Sequence, residues 1–274
     1  MSEVAEQAYD IIQARRAGAS ASVAFVLGSG LGNMAEGVEN PLSIPYADLP
    51  GFPALTVSGH DGQLTLGQQD GVDVAYMLGR SHYYEHGDPR AMETPLETLA
   101  LLGVQIVVLT AAAGSVNADI YPGNLVLVTD HINFNGLNPL IGAGGDGGFI
   151  SLVEAYDPRL QRRFKSATLS SGVNIREGVY MWFSGPSFET PAEIKVAKML
   201  GADVIGMSVV PEVILARRLG LRASAIIVVS NFGAGFMGGN PSHSETRKNA
   251  AQGAIMLKRL IRGFLRIKES ETQA

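Results

Sequence analysis

Two periodicities divide this chain. Residues 3–17 place Val4, Ala8, Ile11 and Ile12 on one side of a helix, which Gly18 ends. The apolar run Val23 to Leu27 predicts a buried strand that runs into Gly28-Ser29-Gly30-Leu31-Gly32. Leu64 to Gln68 and Val72 to Leu78 read as strands, and Gln69-Asp70-Gly71 between them is a hairpin signal. Thr94 to Leu102 reads as a helix with Thr94 at its cap, Pro95 at its first position and Gly103 after its end. Strands are expected at Gln105 to Thr110, Leu125 to Asp130, Gly178 to Phe183, Asp203 to Met207 and Ser224 to Ser230. Helices are expected at Pro158 to Leu169, from the capping box Thr190-Pro191-Ala192-Glu193 to Leu200, at Pro211 to Leu219, and from Ser242-His243-Ser244-Glu245 to about Lys268.

Strands alternating with helices predict an α/β fold: a single domain over 1–274 with a central β-sheet flanked by helices. The hairpin makes the sheet mixed rather than purely parallel. Gly136 to Gly148 holds six glycines and is expected to be a mobile loop, not a linker, because strands resume on both sides.

Composition narrows the classes of function. Apolar residues make up 46% of the 274, enough for a large core. A net charge of −5 without any basic run argues against a nucleic-acid partner. There is no cysteine, hence no disulfide and no thiolate metal site. No apolar run is long enough to span a bilayer, and the acidic N-terminal stretch lacks a signal-type block. The expectation is a soluble, cytoplasmic protein without a membrane partner.

The glycine-rich turn after the first strand can present backbone N–H groups to an anion. The dinucleotide alternative fits less well: the third glycine of that fingerprint would stand at position 33, which is Asn33, and the acidic residue would have to be Asp48, inside a turn. Ligands of open α/β sheets sit beyond the carboxyl ends of the strands. Six such ends here carry small, polar or glycine residues: Ser29; Arg80 with His82; Ala112 to Gly114; Ser184 to Glu189; Met207 with Ser208; and Asn231. His243 opens the following helix. In Gly79 to Gly87, Arg80 and His82 can grip a phosphate with Glu85 orienting the histidine, or form a solvated loop with an Arg–Glu pair. Phe188 can stack on a flat ring; Glu189 also suits a helix start by its charge alone.

Taken with their order and spacing, several stretches resemble the trimeric purine nucleoside phosphorylases that act on inosine and guanosine. They are Gly28-Ser29-Gly30-Leu31-Gly32, Gly59-His60, Gly79-Arg80-x-His82-x-Tyr84-Glu85, Ala112-Ala113-Gly114, Asp130-His131-Ile132-Asn133, Gly185-Pro186-Ser187-Phe188-Glu189-Thr190 and Gly206-Met207-Ser208-Val209-Val210-Pro211-Glu212. The resemblance implies a phosphorylase/hydrolase-like fold and a homotrimer. It implies a phosphate site of Ser29, His60, Arg80, His82, Ala112 and Ser208. Tyr84 and Met207 are implied at the ribose, His243 at the 5′-hydroxyl, and Phe188, Glu189 and Asn231 at the purine. Phe149 matches an aromatic that a neighbouring subunit lends to the sugar. Asn231, His82, Glu189 and His243 are the implied catalytic set. No cofactor or metal is implied, phosphate being a co-substrate. Ala111 stands where many of the resembled proteins have asparagine.

The implied reaction is the reversible phosphorolysis of 6-oxopurine ribo- and deoxyribonucleosides to a free base and (deoxy)ribose 1-phosphate, a step of purine salvage. The residue types suit it. Cleavage builds negative charge on the departing purine, which an asparagine at 231 can meet at N7. A carboxylate at 189 accepts from N1–H of a 6-oxopurine but faces a lone pair in adenine, a mismatch of on the order of 1–3 kcal/mol. A methylthioadenosine phosphorylase would want an acid near 231. A xanthosine-preferring phosphorylase, a non-catalytic nucleoside binder on the same fold and, less well supported, an NAD oxidoreductase complete the alternatives.

Overall fold

The computed structural model describes residues 1–28, 31–55 and 61–267; the side chains of residues 33, 146, 243–248 and 250–252 lie outside that description. One mixed sheet of nine strands runs through it: β1 (Val23–Val26), β2 (Glu39–Pro45), β3 (Gln63–Gln69), β4 (Val72–Met77), β5 (Ile106–Ser115), β6 (Leu125–Asn133), β7 (Ile175–Trp182), β8 (Val204–Gly206) and β9 (Arg222–Phe232). Their order is β2-β3-β4-β1-β5-β8-β7-β6-β9, and β5 also pairs with β9. That last pairing closes β5, β8, β7, β6 and β9 into a ring, so the sheet is open at the β2 end and barrel-like at the other. β1 is buried along its whole length between β4 and β5, parallel to both.

Local chemistry accounts for most boundaries. The β3–β4 hairpin turns on Asp70 and Gly71, at φ 50° and 78°. A left-handed conformation at both central residues is what a two-residue turn with the strands' own twist requires. Helix α1 (Glu3–Arg15) is capped by the Ser2 side chain and buries Ala5, Ala8 and Ile12, while Val4 stays exposed, so the apolar stripe is rotated by about one residue from the one expected. α2 (Tyr83–His86) is a single turn inside the polar loop after β4. α3 (Glu93–Leu101) begins two residues earlier than expected, with Met92 rather than Thr94 at its cap; Pro95 sits in the first turn, where a missing N–H costs nothing.

α4 (Pro158–Ser171) is capped by Asp157, and α5 (Pro191–Met199) has the expected capping box of Thr190 and Glu193. α6 (Val210–Arg218) and α7 (His243–Arg266) complete the layers. α7 packs on α4 and β9, with Phe164 and Phe264 stacked at 4.1 Å. β2 was not anticipated: only Ile44 of its seven residues is buried, and Pro41 and Pro45 bracket a pattern that reads as loop. Residues 136–148 form turns with one short 3₁₀ segment, and Leu140 anchors them to the core. Among the described residues no helix is long and apolar enough to cross a membrane.

Candidate active site

The carboxyl ends of β1, β5 and β9, the end of β8, the loop carrying α2 and the approach to α5 converge on one cavity of about 120 Å³. Arg80, His82, Tyr84, Ala112, Phe188, Glu189, Met207, Ser208 and Asn231 all line it, so nine of the residues singled out in the sequence share a single pocket. Ser29 and His60 lie outside the described residues, as does the side chain of His243. Phe149 does not line this cavity; it is 89% exposed on its own chain.

Among the lining residues, Arg80 is fully buried. Its Nη1 donates to Glu212 Oε1 at 2.7 Å, and its Nη2 donates to the carbonyls of Val26, at 2.8 Å, and Thr110. The two-pronged grip through both terminal nitrogens is therefore already engaged within the protein, and Nε–H is left buried without a partner among the described residues. His82 caps α2: Glu85 accepts its backbone N–H at 2.7 Å and lies 3.1 Å from Nδ1. The imidazole stacks on Tyr84 with ring centres 4.8 Å apart. Burial pushes the Tyr84 phenol up to about 12, with Glu85 adding and Arg80 opposing, so it stays neutral at physiological pH.

The Met207-Ser208 corner is held by strain and by a buried tyrosine. Val209 sits at φ 73°, ψ −54°, and Val210 N–H donates to the Ser208 carbonyl at 2.8 Å. This is a γ-turn centred on a β-branched residue, a conformation that side chains of that kind rarely adopt. Tyr180, completely buried, accepts the Ser208 N–H through its hydroxyl. A Cβ at Gly206 would collide with that phenol ring, which explains the glycine.

β5 and β9 run parallel in register until Ala113↔Val229, after which Gly114 faces Asn231. Ser230 is the extra residue, and such a bulge re-aims the side chain that follows it. The Ser230 hydroxyl lies 3.2 Å from the Ala113 carbonyl and donates to Asn231 Oδ1 at 2.7 Å. Nδ2 donates to the Phe232 carbonyl at 2.9 Å, and because a carbonyl can only accept, this contact fixes which side of the carboxamide is nitrogen. Gly114 leaves room for the amide, since a Cβ there would lie 3.1 Å from Nδ2. The Glu189 carboxyl is 8% exposed, and its Oε1 is buried with no hydrogen-bond partner among the described residues. Burial pushes this carboxyl above its ordinary value, partly offset by its own backbone N–H, while Glu193 adds to the rise.

Reading from the sequence did not single out Tyr180, Ser230 or the role of Glu212. Tyr180 lies inside a strand, where an aromatic is ordinary core, and Ser230 acts only through a bulge made by a distant pairing.

One cavity at the strand ends of a mixed α/β sheet thus gathers two basic side chains, a buried carboxyl and a carboxamide. The chain belongs to the phosphorylase superfamily, whose family model matches residues 22–266. Within it, the chain falls with the purine nucleoside phosphorylases. Purine nucleoside phosphorylase 1 of Geobacillus stearothermophilus is 40% identical over 250 residues, covering 90% of this chain and 91% of that relative. Among solved structures, isoform 2 of the Schistosoma mansoni purine nucleoside phosphorylase, in complex with cytosine and ribose-1-phosphate, superposes with a TM-score of 0.89 at 33% identity, covering 96% of both chains. A schistosoma purine nucleoside phosphorylase in complex with hypoxanthine gives 0.88 at 31% identity, again over 96% of both.

Proposed function

We propose that this enzyme splits purine nucleosides with inorganic phosphate, preferring the 6-oxopurines inosine and guanosine and their deoxy forms. One observation carries the reading. The lining of a single cavity brings together a buried, unpartnered carboxyl oxygen on Glu189, the oriented carboxamide of Asn231, and Arg80, His82 and Ser208. A nucleoside laid along it has its base at Glu189 and its C1′ toward the anion.

In the reaction the C1′–N9 bond breaks, a phosphate oxygen bonds to C1′, and the proton carried by phosphate ends on the departing base. The products are free purine and (deoxy)ribose 1-phosphate. Asn231 donates to N7 as negative charge gathers on the base, an interaction stronger in the transition state than in the substrate. Glu189 accepts from N1–H; in adenine that position is a second acceptor. Arg80, His82, Ser208 and Ala112, with Ser29 and His60, hold the phosphate. Tyr84 and Met207 flank the ribose, and His243 takes the 5′-hydroxyl. No cofactor or metal is needed, because the nucleophile is phosphate itself.

The wide exposure of Phe149 fits an aromatic that serves a neighbouring subunit of a homotrimer, working in the cytoplasm. The test is nucleoside consumption with and without phosphate across inosine, guanosine, xanthosine and adenosine. Strict phosphate dependence with inosine and guanosine ahead of adenosine is expected. Consumption without phosphate would overturn the reaction, and equal use of adenosine would overturn the preference.

A further inference from the structure

Arg80 and Glu212 form a buried ion pair, 0% and 3% exposed, with Nη1 2.7 Å from Oε1. Glu212 comes from the first turn of α6, directly after the strained corner at Val209, and Arg80 comes from the loop before α2. Hydrogen bonding alone does not require a carboxylate here, because two backbone carbonyls already hold the guanidinium's other terminal nitrogen. The carboxylate therefore does something that an amide in its place would not: it cancels the charge of Arg80. A second carboxylate, Glu85, lies 3.1 Å from Nδ1 of His82. A pocket built only to bind an anion as tightly as it could would exclude both carboxylates, since in a low-dielectric interior a like charge close to the anion weakens its binding strongly.

Resting on the anion reading above, we propose that Glu212 is a positioning residue that also sets anion affinity: it holds Arg80 in place while competing for it, which keeps phosphate and the sugar phosphate product weakly enough bound to leave. The carboxylate and the incoming phosphate draw on the same guanidinium. Arg80 is steered by Glu212 toward the wall formed by Val26 and Thr110, which leaves Nε–H and the second N–H of Nη1 for a ligand.

The charge-removing variant separates this from a merely structural role. In Glu212→Gln the amide oxygen still accepts from Arg80 Nη1, but the opposing charge is gone. Phosphate should then bind at least tenfold more tightly by calorimetry, since a unit charge several ångströms away at an effective dielectric near 20 is worth more than the roughly 1.4 kcal/mol of a tenfold change. The phosphate KM should fall in step, and the nucleoside KM should stay within about twofold. Glu212→Asp keeps the charge but draws it back from the guanidinium, and should tighten phosphate by about twofold to threefold; it carries the test if the glutamine variant does not fold. Unchanged or weaker phosphate binding in whichever variant folds overturns the proposal, as does a parallel loss of phosphate and nucleoside affinity, which would mark Glu212 as a structural support. Calorimetry on the unaltered enzyme is the control: failure of phosphate to bind there would bring down the anion reading itself, whereas binding there with no tightening in the variants would bring down the role of Glu212 alone.

Discussion

The Tyr180 hydroxyl, on β7, accepts the backbone N–H of Ser208 at 3.2 Å, reaching across β8 to a residue that lines the cavity. β8 is only three residues long, and the chain leaves it for a strained γ-turn. The corner is therefore held from the side by a buried phenol rather than by further strand pairing. Tyr180→Phe removes that acceptor while keeping the ring. An orphaned buried N–H costs roughly 1–3 kcal/mol. The phosphate KM should rise by about fivefold or more, with the nucleoside KM nearly unchanged. Initial rates with each substrate varied in turn decide it; equal shifts in both KM values would mean the tyrosine serves only the fold.

Gly206→Ala tests the same corner by crowding. The added Cβ would meet the Tyr180 ring, which is fully buried and has nowhere to move. Overpacking of this kind costs about 1–3 kcal/mol. A lower Tm together with a raised phosphate KM is expected. A normal phosphate KM would show that Ser208 is positioned without Tyr180.

Asn231→Ala should lower kcat by about 10²–10³, the range for removing one donor aimed at a developing charge, while phosphate still binds by calorimetry. Ser230→Ala should show a smaller loss, because the carboxamide remains but its orientation is no longer pinned at Oδ1. A larger loss in Ser230→Ala than in Asn231→Ala would contradict this order.

Glu189→Gln carries a pH signature. Burial raises this carboxyl's pKa in the folded protein, so the folded state disfavours its ionised form. The destabilisation is fully present above the raised folded value, shrinks as pH falls through it, and is gone below the ordinary carboxylate value near 4.3. The glutamine variant should therefore be more stable than the parent at pH 7, and this advantage should vanish by about pH 4, as read by denaturant unfolding at the two pH values. The same variant should lose about tenfold or more in kcat/KM for inosine and guanosine, the worth of a hydrogen bond to a charged group, and less for adenosine. A uniform loss across the three would place base recognition elsewhere.

The legibility of the sequence differed between local and distant signals. The β3–β4 hairpin was readable because Asp70-Gly71 is a turn signal in two residues, and α5 because Thr190 and Glu193 cap each other three positions apart. The strand-end residues were readable because side chains beyond a strand's carboxyl end have few purposes other than a ligand. β2 was missed since its pairing, not its composition, makes it a strand. The ring closed by β5 and β9 depends on pairing between residues more than a hundred positions apart, which no periodicity records. For the same reason the sequence offered Arg80 as a two-pronged phosphate grip. The carbonyls of Val26 and Thr110 and the carboxylate of Glu212 reach it only in the folded chain.

Ala112 and Asn231 are carried by adjoining strands of one continuous ladder, with Ala112 opposite Val228 and Asn231 opposite Gly114. The span between the backbones of Ala112 and Asn231 is thus metered in peptide units, and no rotamer change can stretch it. A homologue that gains or loses a residue in β9 near Ser230 would turn its amide away from the base in a single step. On the reading proposed above, adaptation to new nucleosides is left to flanking residues such as Phe188, while the gauge set by the ladder stays fixed.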